Sequence, residues 1–221
     1  MNDFRTNRQQ IINSVRQQGI WLIVYLIVLA IVAWLCTEVW EKEVFSFDKS
    51  WLLWIHQFAT PLLDRIFLFV TALGNPQIVI IIFVSTIVWV GMKRRYSDGI
   101  RFFLICGGAL LINSVMKLFF AKPRPELWTR LIVEHSFSFP SGHAVGSMVI
   151  YGFIGYLLSK EFKSYRGVIY SIAIIIIMAI GFSRLYLGVH YPTDIIAGYG
   201  IGLLWLITCL QLKFEGSRIG S

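Results

Sequence analysis

The chain has 221 residues, of which 57% are hydrophobic and 14% charged, with a formal net charge of +8. Soluble domains carry roughly 25% charged residues, so this deficit excludes an ordinary soluble domain and points to an integral membrane protein. The length suits one compact bundle, a single domain over residues 1–221. The basic excess is read from its distribution along the chain and not as a nucleic-acid footprint.

Residues 1–19 are polar and basic, with Arg5, Arg8 and Arg16. The apolar run from Ile20 to Thr37 is longer than a signal core and lacks an A-x-A site, so it is read as a retained first span. Glu38, Glu41, Lys42 and Glu43 end it. Between residues 44 and 60, Phe47, Trp51, Trp54, Ile55 and Phe58 recur at helical spacing, while Asp48, Lys49, His56 and Gln57 interrupt them. That pattern is too polar to span and predicts a helix lying in the interface, its aromatics serving as an anchor. Pro61 suits the start and Gly74 the end of another short helix. A second span is expected over Pro76–Met92, stopped by Lys93-Arg94-Arg95, with Ser97-Asp98-Gly99 read as a turn. The third runs from Ile100 to Phe120, where Pro123 and Pro125 prevent continuation. Residues 121–139 form a loop of mixed charge that includes Trp128, His135, Phe137 and Phe139. The fourth, fifth and sixth spans are expected over 141–159, 167–182 and 192–212. Gly198 and Gly202, spaced as G-x-x-x-G, predict close helix contact within the chain. Cys36, Cys106 and Cys209 stand alone in apolar runs and are read as buried hydrophobes, not metal ligands.

The chain is therefore expected to be all-α, a polytopic bundle of six transmembrane helices with short interfacial helices. Placing both termini in the cytoplasm puts Arg5, Arg8, Arg16, Lys93, Arg94, Arg95, Arg101, Lys160, Lys163, Arg166, Lys213 and Arg218 inside. The remaining eight Lys and Arg lie outside, and three of those belong to the constellation described next. This orientation satisfies the positive-inside rule. It also brings Lys117, Arg124, Ser141, Gly142, His143, Arg184, His190 and Asp194 to the same outer face.

Each of these residues alone has a structural reading: a snorkelling lysine, an interfacial arginine, a satisfied histidine, a helix-start aspartate. Together they suit phosphoryl transfer, which depends on positioning and on stabilising the charge of the equatorial oxygens. Lys117, Arg124 and Arg184 supply cations. Ser141 and Gly142, where the fourth span begins, are expected to offer N–H groups to an anion. The two histidines suit the roles of nucleophile and general acid, and Asp194, four residues after His190, is placed to orient that ring.

Three blocks, Lys117-x6-Arg124-Pro125, Pro140-Ser141-Gly142-His143 and Ser183-Arg184-x5-His190-x3-Asp194, stand in order. In these blocks the chain resembles the type 2 phosphatidic acid phosphatase (PAP2) superfamily. The resemblance implies a metal-independent lipid phosphatase with a phosphohistidine intermediate and no cofactor. In it, His190 would be the nucleophile, His143 the acid and Asp194 the orienting group, with phosphate bound by Lys117, Arg124, Ser141, Gly142 and Arg184. The implied partners are the bilayer and a membrane lipid phosphate, namely undecaprenyl diphosphate, phosphatidylglycerol phosphate or phosphatidic acid, with no nucleic acid and no obligatory protein partner. Resemblance to bacterial members implies the inner cell membrane, with the site on the extracytoplasmic face. A lipid phosphotransferase, or a non-catalytic transporter using the same cations, would share the constellation. A vanadate-dependent haloperoxidase would also share the cation cage, but that chemistry resembles soluble relatives.

Overall fold

The structure is a computed structural model that describes residues 2–41 and 45–212, with side chains described from residue 19 onward except at Ser46. Lys42, Glu43, Lys213 and Arg218, and the side chains of Arg5, Arg8 and Arg16, lie outside the described residues. Among the described residues, eight α-helices follow in order: α1 (Asn2–Trp40), α2 (Ser46–His56), α3 (Pro61–Ala72), α4 (Pro76–Met92), α5 (Tyr96–Phe120), α6 (Gly142–Glu161), α7 (Arg166–Tyr186) and α8 (Pro192–Gln211). No strand occurs among the described residues.

Five of these helices are long and apolar enough to cross a membrane, or six when α3 and α4, which meet at a 42° bend, are taken as one span. Pro76 at the first position of α4 and the Leu73–Asn75 break account for the bend. The helix α6 is central and packs against α7, α8 and α5, while α1 lies against α8 and α3 against α7. Its core face joins Phe153 to Phe102 of α5 in a stacked pair 5.0 Å apart. A second cluster, including Leu52, Ile55, Leu185, Leu187 and Ile195, fills the end of the bundle where α2 sits. Gly198 and Gly202 lie against Ala144 and Met148 of α6, so the small-residue pattern serves packing inside the chain. The outward faces of α1, α4, α5 and α7 expose Ile, Leu, Val, Phe and Trp. In a bilayer these faces meet hydrocarbon, so their exposure needs no partner.

Three boundaries differ from expectation. The first helix is continuous from Asn2, so the polar segment and the first span form one element. Residues 97–99 are the first turn of α5 and not a loop: the Asp98 carboxylate sits in that turn, bonded to Arg95 and Arg101. A carboxylate in the first turn complements the positive end of the helix dipole. The helix α7 continues past Phe182 to Tyr186, because the polar Ser183 and Arg184 find partners inside the protein. The interfacial helix is present as α2, with Trp51, Trp54 and Phe58 exposed around its C-terminal end. Asp48, expected as a polar interruption, is buried instead. Its two oxygens accept from the Thr193 amide (3.1 Å) and hydroxyl (2.7 Å), which ties α2 to the start of α8.

Candidate active site

The site lies where α5 and α7 end and α6 and α8 begin, beside the break between α3 and α4. The segment 121–141 crosses this end of the bundle. Its two arms are joined by the Ser138 amide, which donates to the Lys122 carbonyl at 2.8 Å. Lys117, in the last turn of α5, donates to the Phe137 carbonyl. Arg124 stitches the same segment to the α7–α8 connection. Its Nε donates to Ser136 O (2.7 Å), and its Nη1 donates to Val189 O (2.8 Å) and lies 3.0 Å from His190 Nε2. Phe139 is fully buried and packs edge-on to Phe120, so it serves packing. Trp128 stacks on His56 at 4.0 Å, and His135 is exposed.

The geometry around His190 defines its tautomer. Arginine can only donate, so Nε2 is an acceptor with its lone pair toward Arg124, and Nδ1 carries the hydrogen. Nδ1 lies 3.3 Å from Ser138 Oγ and 3.5 Å from Asp194 Oδ2. The Ser138 hydroxyl donates in turn to Asp194 Oδ2 at 2.5 Å. Asp194, fully buried at the third position of α8, also accepts from the Tyr191 amide (2.9 Å) and Lys122 Nζ (2.7 Å). Burial pushes the His190 imidazole down to about 3, against the opposing hydrogen bond to Asp194, and nearby Arg124 adds to the effect. The ring is therefore neutral at neutral pH, and a neutral ring is what nucleophilic attack requires.

His143, the second residue of α6, has Nε2 3.0 Å from Asn75 Oδ1. An amide oxygen only accepts, so this nitrogen holds a proton. The ring occupies a slot left by Gly74, where a Cβ would come within 2.6 Å of His143 Cδ2. Arg184 is 1% exposed, a guanidinium buried between helices. Its Nη1 donates to Thr71 Oγ1 at 2.7 Å and its Nη2 to Glu134, while its buried Nε–H has no acceptor among the described residues. The second oxygen of Glu134 lies 3.7 Å from Arg124 Nη2. One carboxylate thus spans both arginines.

A cavity of about 640 Å³ opens from this cluster between α4, α5 and α6. Its polar end holds Lys117, Glu134, Ser136, Gly142 and His143, and the rest is walled by residues such as Ile80, Phe83, Phe103, Leu110 and Ile150.

All eight residues singled out from sequence lie in or against this cluster. One expected role changes. The Ser141 amide donates to the Asp194 carbonyl at 3.1 Å, and the Ser141 hydroxyl caps α6 by accepting from Ala144 N. Ser141 therefore joins the α6 and α8 starts and has no N–H left for an anion; Gly142 begins the helix. Sequence reasoning missed Thr71, Asn75, Lys122, Glu134 and Ser138. Lys122 and Ser138 stand two residues before Arg124 and Pro140, so proximity to the blocks was the available signal. Nothing in the sequence marks Thr71, Asn75 or Glu134.

Fold and site together define a polytopic helical membrane protein with a buried histidine–carboxylate unit set among cations, beside a largely apolar cavity that Lys117, Glu134 and His143 line at its polar end. Residues 98–218 match the model of the PAP2 superfamily. The chain belongs to that superfamily, and is a membrane phosphatase by kind. It is 36% identical over 149 residues to Phosphatidylglycerophosphatase B of Bacillus subtilis (strain 168), a match covering 65% of this chain and 72% of that one. It is 29% identical over 130 residues to Undecaprenyl-diphosphatase of Sulfolobus acidocaldarius, covering 56% and 59%. The crystal structure of a transmembrane PAP2 type phosphatidylglycerolphosphate phosphatase from Bacillus subtilis superposes with a TM-score of 0.79 at 28% identity, covering 84% of this chain and 94% of that one.

Proposed function

We propose that this protein removes the terminal phosphate from a membrane lipid phosphate or diphosphate through a phosphohistidine on His190. The observation that carries the reading is the orientation of that ring. Its lone pair at Nε2 faces the Arg124 guanidinium at 3.0 Å, while Nδ1 is backed by Ser138 and Asp194. Such an imidazole is held in the tautomer and direction that attack on phosphorus needs.

In the first step, Nε2 forms a bond to phosphorus as the bond from phosphorus to the lipid oxygen breaks. His143, entering as the imidazolium, gives its Nε2 proton to that oxygen and becomes neutral, and the dephosphorylated lipid leaves. In the second step, water attacks phosphorus, His143 takes the water's proton, and the P–N bond breaks to release phosphate and the neutral His190 ring. Lys117, Arg124 and Arg184 balance the charge on the equatorial oxygens, and the N-terminus of α6 at Gly142 adds its dipole. These cations supply the charge that a metal provides in other phosphatases, so the reaction is metal-independent in this scheme. Asp194, neutralised by Lys122, keeps the Nδ1 proton in place and stabilises positive charge on the ring during transfer.

The substrate is a lipid because the cavity joins the polar cluster to an apolar groove between helices. Phosphatidylglycerol phosphate and undecaprenyl diphosphate are the leading substrates, in line with the names of the relatives, and phosphatidic acid is the third. The site faces the extracytoplasmic side of a bacterial inner membrane, with the termini inside, as the lysine and arginine distribution favours. Residues 1–221 act as one domain. Purified protein in detergent, given each lipid with EDTA present, should release inorganic phosphate at an undiminished rate. Release that requires an added divalent metal contradicts the scheme.

A further inference from the structure

Glu134 is the group the scheme leaves unused. It sits on the 121–141 segment, with one oxygen on Arg184 Nη2 and the other 3.7 Å from Arg124 Nη2. A carboxylate between two guanidinium forks has the geometry that a phosphoryl group would adopt there. Two anions cannot share the seat without strong repulsion. The Glu134 side chain is 26% exposed, and its neighbours Val133, His135 and Ser136 are exposed. It can therefore turn outward without uncovering core.

We infer that Glu134 occupies the phosphate seat, so that phosphate binds by exchange against it, and that this exchange makes the site select phosphate attached to a lipid over free phosphate. The inference rests on the reading of Arg124 and Arg184 as phosphate ligands. Glu134 also lines the cavity, together with Lys117, Gly142 and His143 at the polar end. A lipid substrate adds the burial of its chain against Ile80, Phe83 and Leu110 to the exchange. Free phosphate and short water-soluble esters add nothing comparable, and Glu134 outcompetes them. After turnover the same carboxylate returns to the arginines and displaces the product, which limits product inhibition. Glu134 acts here as a specificity-determining residue.

The test is Glu134→Gln, with Glu126→Gln as the control. Glu126 is on the same segment, highly exposed, and pairs only loosely with Arg130 at 3.7 Å, so its substitution removes one loop charge without touching the arginines. Binding of inorganic phosphate and of orthovanadate to the detergent-solubilised full chain is measured by calorimetry, which needs no turnover. Replacing the carboxylate should tighten both by about tenfold, as expected for removing a charge-assisted competitor. In kinetics, Glu134→Gln should raise kcat/KM for a short-chain phosphate monoester relative to a long-chain lipid phosphate, and inorganic phosphate should inhibit it more strongly. Unchanged or weaker phosphate binding in Glu134→Gln, or an equal gain in Glu126→Gln, overturns the proposal. Absence of phosphate binding in all three proteins overturns the phosphate-ligand reading beneath it. Lipid hydrolysis by the wild type is scored separately and bears on the catalytic scheme alone.

Discussion

Lys122→Met removes the cation that faces the site's central carboxylate. Lys122 Nζ is 2.7 Å from Asp194 Oδ1, 3.1 Å from Thr193 Oγ1 and 4.0 Å from Asp48 Oδ2. The lysine side chain is 14% exposed, and the two aspartates are 0% and 2% exposed. At an effective dielectric constant of 20, the closer pair attracts by about 6 kcal/mol before desolvation is counted. Measured costs of removing one partner from a buried pair run about 3–5 kcal/mol. Asp194 keeps the Ser138 hydroxyl and Tyr191 amide, and Asp48 keeps both Thr193 donors, so the lower end, about 3 kcal/mol, is expected. Burial already raises the Asp48 carboxyl above the usual carboxylate range, with the Thr193 bonds and Lys122 opposing it. Losing the lysine should therefore drive protonation of one of the two aspartates. A protonated Asp194 holds the His190 Nδ1 proton less firmly, and kcat should fall about 10- to 100-fold, equivalent to about 1.4–2.8 kcal/mol. The assay pairs thermal unfolding in detergent with single-turnover phosphate release. Lys122→Arg should recover part of both, and Asp48→Asn in the Lys122→Met background should recover stability by removing one stranded charge. A Lys122→Met protein that melts and turns over like the wild type would refute the reasoning.

Gly74→Ala places a methyl group 2.6 Å from His143 Cδ2, so the ring proposed as the acid must move. A fold-intact protein with kcat lowered about tenfold is expected, more for poor leaving groups than for good ones, as comparison of an alkyl and a nitrophenyl phosphate would show. Because His190 is held neutral down to about pH 3, acidification from pH 8 to 5 should not protonate the nucleophile, although an ordinary imidazole would charge near 6.5. Rates of phosphoenzyme formation by rapid quench should therefore lack an acid limb from His190 in that interval. A nucleophile that titrates near 6.5 contradicts the burial argument. Gly188→Ala forces a methyl group into Trp128 at 2.5 Å from a residue with φ of +66°, and should lower the melting temperature by several degrees.

The spans were readable because hydropathy and helix period are local properties, and the motif residues because their spacing survives translation along the chain. The polar helix ends were not. Ser183 and Arg184 look like the end of a span, yet α7 carries on, because Thr71 and Glu134, distant in sequence, receive the arginine. The His190–Asp194 relation was visible as an i, i+4 spacing, but its form was not. Tyr191 caps α8 and Pro192 opens it, which sets Asp194 at the third position, where it also accepts the Tyr191 amide. Ser138 then enters between histidine and carboxylate from the segment that precedes α6. Lys122 and Glu134 are two charges in a loop of mixed charge, with no period to separate them from solvated neighbours. Only the crossing of that loop over the helix ends gives Lys122 the carboxylates of Asp194 and Asp48, and gives Glu134 two guanidinium groups.

The central claim is covalent catalysis at His190, and rapid acid-free quench with lipid carrying a radiolabelled terminal phosphate tests it most directly. The wild type should show a transient base-stable, acid-labile phosphoenzyme mapping to His190. His143→Ala should accumulate it from a substrate with a good leaving group, and His190→Ala should show neither label nor turnover. A phosphoenzyme trapped in His190→Ala, or hydrolysis by that protein at a wild-type rate, would contradict the account.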